Sequence, residues 1–263
     1  MKKLNYLAAI YFIFLFNFIE SAQAQSCRFS SPVKEVLETE LGKPCESISV
    51  SDLQKIESLD LSERNIEVLP ANLLKGFTNL KAFFIYGNKL TAIPEGFFKY
   101  TPNLRVLEAD DNKLTSLPYD IFSYTNDLEI VSFRRNSISL LDNVEQLNAQ
   151  NLKAFLFSTN GLTELPSWLF TGAGKLEFLD LSENKIEKIS ADSFTDMKEL
   201  TTLHLHLNPI SKIEENAFSN LKKVRDLYLY ETALTSIKKS DFAGMTGLVN
   251  LYLMDGKVTS VEP

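Results

Sequence analysis

Apolar residues recur along the chain with a constant period of 24 residues, which defines a repeating unit. The first apolar position of the unit is occupied nine times without a change of spacing, by Ile56, Leu80, Leu104, Leu128, Leu152, Leu176, Leu200, Val224 and Leu248. Within each unit, positions 4, 6, 11 and 14 are apolar as well, as in the segment from Leu176 to Ile189. A fixed period of this length is typical of a stacked array in which no unit can bury its own apolar face.

The alternation inside each unit predicts a short strand. Positions 3 to 7 place side chains alternately outward and inward, as in the run from Phe178 to Ser182, with the inward positions apolar. A period of two residues indicates a strand that buries one face. Because the spacing is the same in every unit, we expect these strands to lie side by side and parallel.

Two further positions are predicted to be structural. Position 9 holds Asn in six units, and an amide that donates and accepts can satisfy the backbone of adjacent turns; this predicted asparagine ladder comprises Asn88, Asn112, Asn136, Asn160, Asn184 and Asn208. Position 19 is apolar and mostly Phe, which predicts a buried spine behind the sheet. The fourth unit breaks the pattern with Asp142 and Gln146, so its back, 140–151, is expected to be built differently.

The units resemble the leucine-rich repeat L-x-x-L-x-L-x-x-N-x-L from Ile56 to the end of the sequence. The length of the unit, with Pro after position 14 and Phe at position 19, resembles the extracellular type. The resemblance implies an α/β repeat solenoid, a horseshoe whose concave side is a parallel sheet of about nine strands. We expect nine repeats in residues 56–263, the last one partial.

The segment before the repeats predicts export and a cap. Residues 1–24 have the basic start, apolar run and Ala22-Gln23-Ala24 cleavage pattern of a secretory signal peptide, which would leave Gln25 as the mature start. Residues 25–55 are expected to form a small helical N-terminal cap, with a helix over 33–41 and a disulfide between Cys27 and Cys45. This segment is similar to the caps of bacterial exported leucine-rich repeat proteins through Gly42-Lys43 and 48–53. The protein is therefore expected in the periplasm, on the cell surface or in the medium.

Charge and motifs argue against several classes of function. The chain has a net charge of −7, and removal of residues 1–24 leaves 25 basic and 33 acidic residues, or −8. This balance argues against a nucleic-acid partner, which would favour a basic stripe. The signatures of common catalytic sites are missing from the sequence, so we expect no enzymatic activity and no cofactor. No stretch after residue 24 is long and apolar enough to span a bilayer, so we expect no transmembrane segment in the mature chain.

The outward strand positions then define the candidate partner-binding residues. Near the N-terminal end we expect three neighbouring patches: aromatic Phe84 and Tyr86, acidic Glu108 and Asp110 with Asp111, and basic Arg134 and Arg135. Near the C-terminal end the outward positions expose together His204, His206, Tyr228, Tyr230, Tyr252 and Met254. Exposed aromatic, Arg and Met side chains are enriched where proteins bind each other. We include position 8 of the unit among these outward strand positions.

Three hypotheses follow from this map. The first is a recognition module that binds a protein, a peptide or a glycan through the sheet face. The second is a structural role, in which the last repeat pairs with a second copy to form a homodimer. The third is a metal site at His204 and His206 with Asp180 or Asp226 nearby, for which two histidines without a spaced third ligand are weak evidence. The same two histidines could instead form a pH-sensitive contact.

Overall fold

The structure, a computed structural model, describes residues 27–147 and 149–262. The predicted signal peptide and Gln25 lie outside the described residues. The chain divides into two compact units between Asp52 and Leu53. Within the described ranges, no helix is long and apolar enough to cross a membrane.

The first unit contains the predicted helix. Helix α1 spans Val33–Leu41, with Val33 and Leu37 buried, and Gly42 ends it in the left-handed conformation at φ 63°. A 3-10 turn follows at Cys45–Ser47, and a second short helix, α2, spans Val50–Leu53. The Cα atoms of Cys27 and Cys45 are 5.3 Å apart and their sulfur atoms are joined, which is compatible with the expected disulfide.

The second unit is built on one parallel sheet, as the repeat pattern predicts. Each strand covers positions 3 to 5 of its repeat, so the strands are shorter than the alternation indicates. The strands, in order across the sheet, are β1 (Ser58–Asp60), β2 (Ala82–Phe84), β3 (Val106–Glu108), β4 (Ile130–Ser132), β5 (Ala154–Leu156), β6 (Phe178–Asp180), β8 (Thr202–His204), β10 (Asp226–Tyr228) and β12 (Asn250–Tyr252). Every pair is parallel and in register, so that equivalent repeat positions are neighbours, as for Tyr228 and Tyr252. The predicted solenoid of nine strands is confirmed.

The back of the unit consists of turns, short strands and 3-10 helices. Small parallel sheets pair β7 (Lys188–Ile189) with β9 (Lys212–Ile213) and β11 (Ser236–Lys238) with β13 (Ser260–Glu262). The 3-10 helices lie at Ala149–Asn151, Ser167–Phe170 and Lys239–Phe242.

The core is filled by the inward positions and by the Phe spine. The inward residues of β1 to β10 in the main sheet are at most 1% exposed, as for Leu179 and Leu203 at 0%, whereas Leu251 in the last strand is partly exposed. Phe98, Phe122 and Phe170 are at most 2% exposed, and each such ring stabilises the fold by about 2 kcal/mol through burial. Neighbouring repeats therefore share one continuous core.

The back of the fourth repeat differs from its neighbours, as the sequence predicts. Leu141, Val144 and Leu147 fill the space under this repeat and are at most 3% exposed. The backbone N–H of Glu145 donates to the carbonyl of Tyr119 across 2.6 Å. Leu141 occupies the usual apolar position 14, and Val144 and Leu147, at shifted positions, replace the missing Phe.

Candidate partner-binding surface

A row of five aromatic rings crosses the sheet face near its C-terminal end; we call it the aromatic ladder (His204, His206, Tyr228, Tyr230 and Tyr252). Register alone brings the rings together, because position 5 of β8, β10 and β12 is aligned. Tyr228 and Tyr252 are stacked with centroids 4.3 Å apart. His206 and Tyr230 are likewise stacked at 4.3 Å, and His204 meets Tyr228 edge-on at 4.3 Å. All five predicted ring residues therefore form one continuous cluster.

Stacking determines what the ladder presents to a partner. Strands in a sheet are about 4.8 Å apart, so rings that stack across strands direct their faces at each other. Ring edges and the tyrosine hydroxyls are left for a partner, with Met254, which is 57% exposed, beside them. Aromatic pairs at these separations are worth about 1 kcal/mol beyond their buried area. The ladder is thus a preorganised surface rather than a set of independent side chains.

The two histidines are held in their neutral form. Burial lowers the pKa of His204, and the nearby Asp180 and Asp226 oppose this only in part. Burial also lowers the pKa of His206, and the neighbouring His204 lowers it further. The Nδ1 atom of His206 is buried and has no hydrogen-bond partner among the described residues. Near neutral pH the pair adds no positive charge to the surface.

The surroundings of the histidines bear on the metal hypothesis. His204 Nδ1 lies 3.9 Å from Asp180 Oδ1, and the two imidazole rings are 5.4 Å apart. Among the described residues, no group of three or more His, Cys, Asp or Glu side chains is placed to hold a metal ion. The geometry therefore gives the histidine pair no third ligand.

The tyrosine hydroxyls remain protonated donors over a wide pH range. Burial raises the pKa of Tyr228, and the hydroxyl of Tyr252 contributes to this. Burial also raises the pKa of Tyr230, assisted by the carboxylates of Glu231 and Glu183. The Tyr230 hydroxyl can therefore donate a hydrogen bond to a partner carbonyl, while the Tyr228 hydroxyl is engaged with Tyr252.

The predicted acidic and basic patches of the N-terminal half are tied to each other. Asp110 is only 6% exposed and accepts hydrogen bonds from Ser132 Oγ at 2.5 Å and from Arg134 N at 2.8 Å. The guanidinium of Arg134 holds its second oxygen through Nε and Nη2, both at 2.7 Å. Arg135 pairs with Asp111 at the exposed end of the strands. Asp110 therefore serves the fold, and the arginines are largely neutralised.

Glu108 stands apart from these ion pairs. Its side chain is half-buried on β3 next to Phe84 of β2. No described residue forms a hydrogen bond or salt bridge with its carboxylate, and its pKa is raised, first by burial and then by Asp110. With half-buried Phe84 and Tyr86 it forms a second cluster on the sheet face, separate from the aromatic ladder.

Position 8 is not a strand position, which corrects the sequence-based interpretation. All nine residues there adopt positive φ, from Asp111 at 51° to Gly87 at 64°, and only one of them is Gly. Their backbone N–H groups donate to the next repeat, as Glu183 N does to the carbonyl of His206 at 3.0 Å. Arg135 is therefore presented from a left-handed turn beyond the strand end.

The asparagines at position 9 lie directly behind these turns. Asn184 donates through Nδ2 to the carbonyls of Phe157, Leu181 and Ser182 at 2.9, 3.1 and 3.1 Å. Its Oδ1 accepts from the backbone N–H of Leu162 at 3.0 Å. The same pattern recurs at Asn88, Asn112, Asn136, Asn160 and Asn208. These amides fix the turn that aims each strand face outward.

Comparison with known proteins agrees with this architecture. A family model for the leucine rich repeat matches residues 54–114, 150–210 and 198–256. The chain belongs to the leucine-rich repeat family. Among curated proteins no match was found.

Solved structures with the same fold include two complexes and a bacterial protein. The TLR13–ssRNA13 complex superposes with a TM-score of 0.72 at 28% identity, over 80% of this chain and 30% of that chain. The Toll–Spatzle complex of Drosophila gives a TM-score of 0.61 at 26% identity, over 80% of this chain and 33% of that chain. Internalin C2 of Listeria monocytogenes gives a TM-score of 0.68 at 16% identity, over 84% of this chain and 92% of that chain. This likeness shows the fold alone. This leucine-rich repeat chain spans about a third of the matched chains in the TLR13 and Toll structures.

The sequence-based set of candidate residues omits the carboxylates around the aromatic ladder. Asp180 and Asp226 lie on the strands beside His204, and Glu183 and Glu231 occupy the position 8 turns. Their common offsets within the repeat are readable from the sequence, but their neighbourhood emerges only when the strands are aligned. They complete the description of this part of the sheet face.

Proposed function

We propose that this leucine-rich repeat chain is an exported, non-enzymatic recognition protein that binds a protein or peptide through the aromatic ladder and Met254. The single observation that carries the proposal is the stacked, half-buried row of rings on the open sheet face. Such side chains are enriched among residues that dominate binding energy, because they bury large area with little loss of conformational freedom. The disulfide-compatible cysteine pair supports export.

The relatives support recognition as the general role. One is described in complex with an ssRNA and another with Spatzle. For this chain we favour a protein over a nucleic acid, because the sheet face is acidic and would repel phosphates. The cluster of Phe84, Tyr86 and Glu108 is proposed as a secondary contact. Residues 25–55 are proposed to cap the repeats.

Affinity capture with the mature chain, residues 25–263, tests the proposal. The variant Y228A/Y230A is expected to lose the captured partner while keeping its circular dichroism spectrum. The matched control is Y119A/Y124A, which removes two tyrosines that are 61% and 39% exposed outside the sheet face. Equal capture by both variants and the wild-type chain would refute the proposal.

Self-association is a second candidate, favoured by exposed apolar side chains in the last repeat. Val249, Met254 and Val261 are 63%, 57% and 76% exposed. Contact between two copies through these residues would give a homodimer. Light scattering at high protein concentration decides the question, because a monomer there contradicts it.

A further inference from the structure

The net negative charge of the chain is concentrated on the sheet face. We define the sheet face as positions 3, 5, 7 and 8 of the nine repeats. These positions carry ten carboxylates, Asp60, Glu63, Glu108, Asp110, Asp111, Asp180, Glu183, Asp226, Glu231 and Asp255, and two basic residues, Arg134 and Arg135. The face alone therefore accounts for −8, the whole net charge of residues 25–263. The rest of that chain is balanced, with 23 acidic and 23 basic residues.

Several carboxylates off the face pair with a cation from an adjacent repeat. Glu199 contacts Lys223 at 2.5 Å, and Glu129 contacts Lys153 at 2.7 Å, each across one full repeat. These pairs link adjacent repeats along the side of the array. The repeat period can thus place a cation one unit after an acid, and the sequence uses this arrangement away from the aromatic ladder.

Around the aromatic ladder this pairing is missing. Asp180, Glu183, Asp226, Glu231 and Asp255 form no salt bridge with Lys or Arg among the residues that the structure describes.

The same repeats carry no Lys or Arg at any sheet-face position. The basic residues nearest to these positions in sequence are Lys185 and Lys257, both at position 10, and Arg225 at position 2, and all three lie outside the sheet-face positions. Like charges held together without counter-ions repel each other, and this cost is relieved when a cationic partner binds.

We infer that the partner presents a lysine- or arginine-rich segment to the aromatic ladder, a specification that rests on the proposed function. The aliphatic stems of such side chains pack over the ring edges and Met254, while their charged ends reach the carboxylates on both sides. The Tyr230 hydroxyl donates to a backbone carbonyl of the segment. Glu108, half-buried and without an ion pair to any described residue, provides a second position for a single cationic side chain.

A binding assay with defined peptides tests the inference. The probes are two fluorescein-labelled decapeptides, one of alternating Lys and Ser and one of alternating Glu and Ser. Their binding is measured by fluorescence anisotropy at low and at physiological salt. The wild-type chain is expected to bind the Lys-Ser peptide and not the Glu-Ser peptide, with affinity falling as salt rises. Failure to bind the Lys-Ser peptide at low salt would overturn the inference.

Matched variants separate a local site from general attraction to an acidic protein. The sheet-face variant D226N/E231Q/D255N and the control variant E95Q/E164Q/E215Q each remove three negative charges, the latter from exposed positions off the face. We expect the first to weaken Lys-Ser binding at least tenfold and the second no more than twofold. Equal losses would show that only net charge matters, against the inference.

The same variants distinguish failure of this inference from failure of the proposed function. A native partner whose capture depends on Tyr228 and Tyr230 but survives D226N/E231Q/D255N would leave the proposed function intact and refute the cationic segment. If Lys-Ser binding depends on the three carboxylates while capture of the native partner survives Y228A/Y230A, the cationic segment stands and the proposed function is refuted.

Discussion

Replacement of Asn184 by Ala tests how much each asparagine of the ladder stabilises the array. Its amide makes four hydrogen bonds inside the protein, and the side chain is 6% exposed. Three of the four partners keep another donor when the amide is lost. The carbonyl of Phe157 retains Asn160, that of Leu181 retains Asn208, and that of Ser182 retains the N–H of Thr159.

The fourth partner is lost outright. The backbone N–H of Leu162 donates to Asn184 Oδ1 at 3.0 Å, and Leu162 is fully buried. A buried donor without a partner costs about 1–3 kcal/mol, and the weakened carbonyl contacts add to this. We therefore expect Asn184→Ala to lower the free energy of unfolding by about 2–4 kcal/mol.

Urea unfolding followed by circular dichroism measures this change. Asn184→Asp is expected to be worse than Ala, because it keeps the acceptor for Leu162 but points a second carboxylate oxygen at three carbonyls. Asn143→Ala, at an exposed position of the fourth repeat, is the control and should change stability by less than about 0.5 kcal/mol. An Ala variant as stable as the control, or an Asp variant more stable than the Ala variant, would refute this account of the ladder.

Three other perturbations have defined outcomes. Thr159→Gly should raise the free energy of unfolding by about 1 kcal/mol in urea melts, because a β-branched residue is strained at φ 56°. The pKa values of His204 and His206 are lowered in the folded protein, so the unfolded chain binds protons more readily. Stability should therefore fall as the pH drops below the usual histidine pKa of 6.5 and through the folded pKa. H204Q/H206Q should flatten this decline in melts between pH 8 and pH 5, and an unchanged slope would contradict the assignment. Replacing both Cys27 and Cys45 by Ser should lower the stability of the first unit by about 3 kcal/mol, read from its helical signal, and no change would argue against the disulfide.

The fold followed from the sequence because one physical requirement repeats. Every unit needs an inward Leu, Ile, Val, Ala or Phe at positions 4 and 6, so the constant period was sufficient to predict parallel strands in register. The left-handed turns at position 8 were not predicted, since residues as different as Glu183, Leu207 and Asp255 occupy them. In the first eight repeats the next repeat binds the backbone N–H of this residue, which favours the same conformation whatever side chain stands there.

The sequence predicted which outward positions of the candidate site are neighbours, but not how their side chains contact one another. The alignment of Asp110 with Arg134 could have been read from their equivalent places in adjacent repeats, which make them cross-strand neighbours. Ring stacking in the aromatic ladder could not have been read from the sequence, because the side-chain torsions are set by contact with adjacent rings. Neutral histidines likewise depend on burial that only the folded sheet creates.

The fourth repeat shows which part of the unit maintains the sheet face. Its back lacks the spine Phe and contains a 3-10 helix at Ala149–Asn151, yet β4 and β5 remain in register. On either side of the altered back, Asn136 and Asn160 keep the same amide contacts as elsewhere. Register is therefore set by the strand and the asparagine behind it, while the back needs only enough apolar volume. Variation in the back of a repeat can accumulate without moving the side chains that face a partner.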